Sequence, residues 1–168
     1  VESGTDLVRD STREVGLDDA GEDIHRRPLG CTDQVDADRA RLLRGVSDRP
    51  GALEVLEELF TSDPAHPGAL ALAAEVHASL KQWAEAVDCL QRLSRASIPD
   101  DQRRVAHLGA AGFLENQLGA KAEALEELRA VEALGLPDAE TWTRIASLEI
   151  ELGRPEAAAD AYRRALEA

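Results

Sequence analysis

The stretch WTRIASLEIELGRPEAAADAYRRALEA, Trp142 to Ala168, alternates apolar stripes with small residues. Trp142, Ile145, Ala146 and Glu149 fall three or four apart, as do Ala158, Tyr162 and Ala165. Positions so spaced share one helix face. Gly153-Arg154-Pro155 interrupts the run. The pattern predicts two short helices that meet closely across a tight turn.

The same pattern recurs upstream. Ala52, Ala86, Ala124 and Ala158 stand 34, 38 and 34 residues apart. Four residues after them come Leu56, Leu90, Leu128 and Tyr162, then Leu59, Leu93, Val131 and Ala165 three residues later. Twelve residues before the anchors sit Ala40, Ala74, Gly112 and Ala146. Small residues are expected where two helices cross, and large ones along the second helix. A period of this length predicts a stack of helical hairpins that bury one another's apolar faces.

Local signals agree. Asp138 is placed to cap a helix after Leu136-Pro137. Ser97-Ile98-Pro99-Asp100 resembles a capping box with proline in the first turn. Gly119 and Gly153 end the first helices of their hairpins. The four extra residues Asp101 to Arg104 lengthen the first helix of the third unit or bulge the loop before it. Residues 1–32 differ in kind, with eight acids, four arginines and scattered glycines. They read as an acidic, partly irregular segment in which Thr5 to Val15 has the pattern of a short helix.

The last unit, through Trp142, Ile145, Ala146, Gly153, Ala158, Tyr162 and Ala165, resembles the tetratricopeptide repeat, W-x2-L-G-x2-Y followed by A, F/Y, A and P. Units 33–66, 67–100, 105–138 and 139–168 lie in register with it, the first degenerate, with Asp36 and Arg39 at apolar places. Glu115 and Glu149 take the usual tyrosine position. The resemblance implies an all-α, right-handed superhelical stack of antiparallel hairpins over 33–168. It also implies a concave groove on the first helices that receives a peptide or a partner helix. Carried over, the groove positions are Arg41, Arg44, Ala71, Glu75, Ser79, Gly109, Phe113, Asn116, Gln117, Thr143, Ser147 and Ile150. Phe113 is their one aromatic and the natural anchor; Asn116 and Gln117 can bond an extended backbone. The Lys, Asn and Arg clamp of chaperone-tail binders is missing: Ala71, Glu75, Ala106 and Ala110 stand in its places, and Arg144 alone matches.

Composition narrows the partner. The net charge of −14 disfavours nucleic acid and anionic membranes, both of which need a basic footprint. No window approaches the length of a membrane span. Aromatics are only 3% of residues, so Leu, Val and Ala must build the core. Seventeen arginines against two lysines fit a GC-rich, bacterial genome. With Val1 first and no Met, the chain reads as an excised piece or a processed product. A cytoplasmic location is the expectation, with a periplasmic one left open.

The search for chemistry finds no nucleotide-loop, zinc-protease or nucleophile-elbow motif. His25, His66, His77 and His107 lack metal spacing, and Cys31 and Cys89 form no CxxC. His77 reads as a packed side chain and Cys89 as a small core residue. Glu57-Glu58 and Glu126-Glu127 read as solvated helix faces rather than acid/base dyads. No cofactor is expected. The chain reads as a non-catalytic protein-interaction module, with a regulatory or scaffolding domain of a larger enzyme or sensor as the alternative. Tyr162, Ala165 and Leu166 are expected to face outward and to support weak self-association at most.

Overall fold

The computed structural model describes residues 49–168. Its helices are α1 Arg49–Ser62, α2 Pro67–Ser79, α3 Trp83–Arg95, α4 Asp100–Phe113, α5 Lys121–Ala133, α6 Ala139–Glu151 and α7 Pro155–Glu167. A π-helical turn, Leu114–Leu118, extends α4. No strand occurs among the described residues. The connections are short, so each helix doubles back and packs on its sequence neighbours. The acidic segment 1–32, Cys31, Arg41, Arg44 and the first helix expected for unit 33–66 lie outside the described residues.

The four anchor alanines are all buried, with Ala52, Ala86 and Ala124 fully enclosed. Around them Leu56 and Leu59 of a second helix cluster with Val76 of a first helix, and Leu128 of another second helix clusters with Leu114 and Ile145. Removing such a side chain from water contributes about 1.5–3 kcal/mol, so these aliphatic contacts hold the hairpins together.

Helix ends follow local chemistry. Asp138 caps α6, its Oδ1 accepting from the Thr141 amide at 2.8 Å. His66 caps α2, its Nδ1 accepting from the Ala69 amide at 3.1 Å. Pro67 and Pro155 occupy first turns, where no amide proton is needed. Gly119 and Gly153 turn the chain at φ 65° and 75°. The capping box at Ser97 does not form. Pro99 holds an extended ψ of 151°, so the helix begins at Asp100, with no side-chain cap and with Asp100 and Asp101 facing its positive end. Asp101 to Arg104 therefore belong to α4.

The third unit departs from its expected register. Gly112 is not at a helix crossing: an added Cβ there would meet nothing within 4 Å. Ala110, Ala111 and Leu114 are buried instead, the places held by Ile145, Ala146 and Glu149 in the last unit. The π-turn accommodates one extra residue before Gly119, which shifts the upstream helix by one. Leu114, not Glu115, thus fills the tyrosine position.

Candidate functional site

The first helices α2 and α4 do not pack on each other; α3 packs on both. A hollow of about 630 Å³ opens between them. Its floor is Leu90 and Leu93 of α3; Ala71, Ala74, Glu75, Ala78 and Ser79 of α2 form one wall, and Val105, Ala106, Gly109 and Phe113 of α4 the other. A second hollow of about 370 Å³ shares Ala71, Leu93 and Val105, and continues to Pro67, Gly68, Asp101 and Gln102. Glycine at position 109 keeps the wall thin, because a Cβ there would stand 3.2 Å from a Leu90 methyl.

Of the expected groove residues, the structure brings together Ala71, Glu75, Ser79, Gly109 and Phe113. Asn116 and Gln117 lie exposed on the π-turn, outside this lining, as do Thr143, Ser147 and Ile150 on α6. Asn116 Nδ2 donates to the Gly112 carbonyl at 2.9 Å, and Thr143 Oγ1 to that of Ala139 at 2.8 Å. Phe113 is half-buried rather than a free anchor, its ring 5.4 Å from that of Trp83. Arg144 is held by Glu115, with Nη2 at 2.8 Å from Oε2, across the gap between the π-turn and α6. Ala110 is fully buried and faces no groove.

Val105 is the residue that sequence reasoning missed, 65% exposed on the hollow's rim. The stripe Val105, Gly109, Phe113 has a four-residue step, so extending the Gly109–Phe113 pair one turn back would have found it.

The candidate reactive side chains among the described residues, Cys89, His77, His107 and Glu127, are engaged or inert. Burial pushes the Cys89 thiol up to about 11, so it stays protonated and behaves as a core residue. His77 Nδ1 lies 2.8 Å from Gln82 Oε1. Glu126 is exposed as expected, but Glu127 is not on a solvated face. It lies between α3 and α4, its Oε2 2.7 Å from His107 Nδ1 and its Oε1 accepting from Gln91 Nε2 at 2.7 Å. Burial opposes its ionisation, and the bonds from His107 and Gln91 outweigh that effect, leaving its pKa below the ordinary value. Among the described residues no cluster of His, Cys, Asp and Glu could hold a metal ion. No helix among them is long and apolar enough to cross a membrane.

Residues 45–112 match one tetratricopeptide repeat model and residues 139–168 another, together more than half of the chain. The chain belongs to the tetratricopeptide repeat family. Among curated proteins nothing matches it in sequence. Several solved MamA structures share its fold. One aligns with a TM-score of 0.63 at 15% identity, over 80% of this chain and 77% of that one. MamA of MSR-1 aligns at 0.57 and 19% identity, over 88% and 80%. MamA from Desulfovibrio magneticus RS-1, residue 41 to the end, aligns at 0.57 and 16% identity, over 80% and 74%. At these identities the likeness is one of fold. As a tetratricopeptide repeat protein, the chain is a protein-interaction module.

Proposed function

We propose that this module binds its protein partner, as a peptide or a helix, in the groove between α2 and α4, and that it performs no chemistry of its own. The supporting observation is the hollow over α3: it is open, mostly apolar and rimmed by an exposed valine, the surface on which a partner's side chains gain most from leaving water. Glu75, Ser79, Gly109 and Phe113 are its nearest contacts. Asn116, Gln117, Thr143, Ser147 and Ile150 would serve only a partner long enough to run on past the π-turn. Arg41 and Arg44, also expected in the groove from the sequence, lie outside the described residues. A photo-crosslinking side chain at Val105 should capture a protein partner in cells, and one at Glu126 on α5 should not. Capture from Glu126 alone would overturn the assignment.

Self-association is a separate proposal. Tyr162 and Leu166 of α7 are exposed, Leu166 by 89%. Ala165 does not share that surface: it packs against the core, contrary to expectation. Two side chains on one helix offer far less than the roughly 1,000 Å² of a stable interface, so a contact between copies through them is weak. Light scattering across a concentration series should show slight association that Leu166→Glu removes. A tight dimer indifferent to Leu166→Glu would place the contact elsewhere.

A further inference from the structure

Resting on that reading of the groove, we infer that its occupant is an amphipathic helix with an aliphatic face and a basic polar face, not an extended peptide. An extended strand brings unpaired amides and carbonyls that need partners when buried. The hollow has few to give. Its polar lining is Glu75 and Ser79, and the Ser79 hydroxyl donates to the Val76 carbonyl at 2.7 Å. Asn116 and Gln117, the amides suited to an extended backbone, stand outside it. A helix satisfies its own backbone and asks only for apolar contact.

Shape points the same way. The two hollows run along α2 from Pro67 to Ser79, a helix of 13 residues. That span is about 20 Å, which suits a partner helix of three to four turns. Ala71, Ala78 and Gly109 keep the walls low, so a second helix can lie close and set leucine-sized side chains over Leu93.

Charge specifies the other face. Every arginine on α4 and α6 already has a carboxylate partner: Arg103 with Asp100, Arg104 with Asp138, Arg144 with Glu115. Asp101 is exposed at the rim beside Gln102. The whole chain carries −14. A partner approaching this groove meets negative potential, which lysine or arginine on its outer face complements.

Four synthetic peptides free of Trp and Tyr test this: a Leu/Ala-faced helix with lysines on its polar face, the same helix with glutamates, a scrambled sequence, and the lysine peptide with two internal prolines. Trp83, whose ring lies 5.4 Å from that of the groove residue Phe113 and tilted 35° to it, reports occupancy by its fluorescence. The lysine helix should bind, weaken with added salt, and bind about tenfold less tightly to Val105→Asn, whose exposed position leaves folding unaffected. Equal binding of the glutamate helix, or of the scrambled peptide, would overturn the charge or the face. Equal binding of the proline peptide would overturn the helix while leaving the groove intact. Failure of all four peptides would overturn the occupant but not capture from Val105. Binding indifferent to Val105→Asn would overturn the groove itself.

Discussion

Glu149 Oε1 accepts a hydrogen bond from Arg129 Nη2 at 2.9 Å, while its Oε2 accepts none. The carboxylate is 3% exposed and occupies the place where the repeat pattern carries a tyrosine. Arg154 Nη1 stands 3.5 Å from the orphan oxygen. Arg129 also donates to Glu132 at 2.7 Å, and Glu132 accepts from Arg164 at 2.6 Å. Arg164 in turn covers the Trp142 ring, 4.8 Å from its centre. A charge network thus ties α5, α6 and α7 where the pattern has an aromatic ring.

Removing one partner of a buried pair costs about 3–5 kcal/mol, because the remaining charge stays out of water. Arg129 is partly exposed and Arg154 remains nearby, so Arg129→Ala should cost less, about 2 kcal/mol. Replacing the pair together, by Arg129→Leu with Glu149→Leu, should restore most of that loss. Urea titrations of the single and double variants measure the coupling. An Arg129→Ala protein as stable as the parent would show that the network contributes nothing.

The turn between α2 and α3 carries strain that its counterparts avoid. Lys81 sits at φ 61°, five residues before its anchor alanine, just as Gly119 and Gly153 precede theirs. A side chain in that region costs about 1 kcal/mol or more, and glycine escapes the cost. Lys81→Gly should therefore raise stability by about 1 kcal/mol, less the greater freedom glycine gives the unfolded chain. Gly153→Ala should lower it. A lower melting temperature for Lys81→Gly would refute this account of the turn.

Much of this was legible in the sequence because a repeat states each rule several times. The alanines at 52, 86, 124 and 158 fixed the hairpins, and Asp138, Gly119 and Gly153 marked their ends. The misreadings arose where geometry broke the count. A π-turn has no sequence signal of its own, so Gly112 was set at a crossing that Ala111 occupies. Glu127 looked like a surface acid because its partners, His107 and Gln91, come from other helices. The hollow was half legible: its α2 wall follows the repeat, but Leu90, Leu93 and Val105 required knowledge of which helices leave a gap.

Gly112 gives the register a direct test. It lies inside α4 with open space where a Cβ would stand. Alanine there should stabilise the helix by about 1 kcal/mol. Gly109→Ala should gain less, because its Cβ would press on a Leu90 methyl at 3.2 Å, which must shift. If Gly112→Ala destabilised the protein, the unshifted register would be the right one and Gly112 would be at the crossing after all.

Three carboxylates make stability fall in acid. The Glu127 pKa is lowered despite burial, by its bonds from His107 and Gln91. In Glu132 burial is likewise outweighed, by Arg129 and Arg164, and in Asp138 the Thr141 hydroxyl and amide lower the pKa. Each folded pKa lies below its unfolded value, so between the two the unfolded chain binds more protons. The stabilisation is complete above the ordinary carboxylate range and is lost as pH drops through that range and the folded values. Relief of the −14 net charge acts the other way as acid is added, so the parent protein's pH profile mixes two effects. The difference between parent and Glu127→Gln separates them. Glutamine keeps the shape and cannot titrate, so the variant should start less stable at neutral pH and the gap should close as pH falls toward 3, a value below the ordinary Glu pKa of about 4.3. Urea midpoints taken at each pH give the gap. A gap that stayed constant from neutral to acid would mean that the ionisation of Glu127 does not stabilise the fold, and that its bonds to His107 and Gln91 act only as neutral contacts.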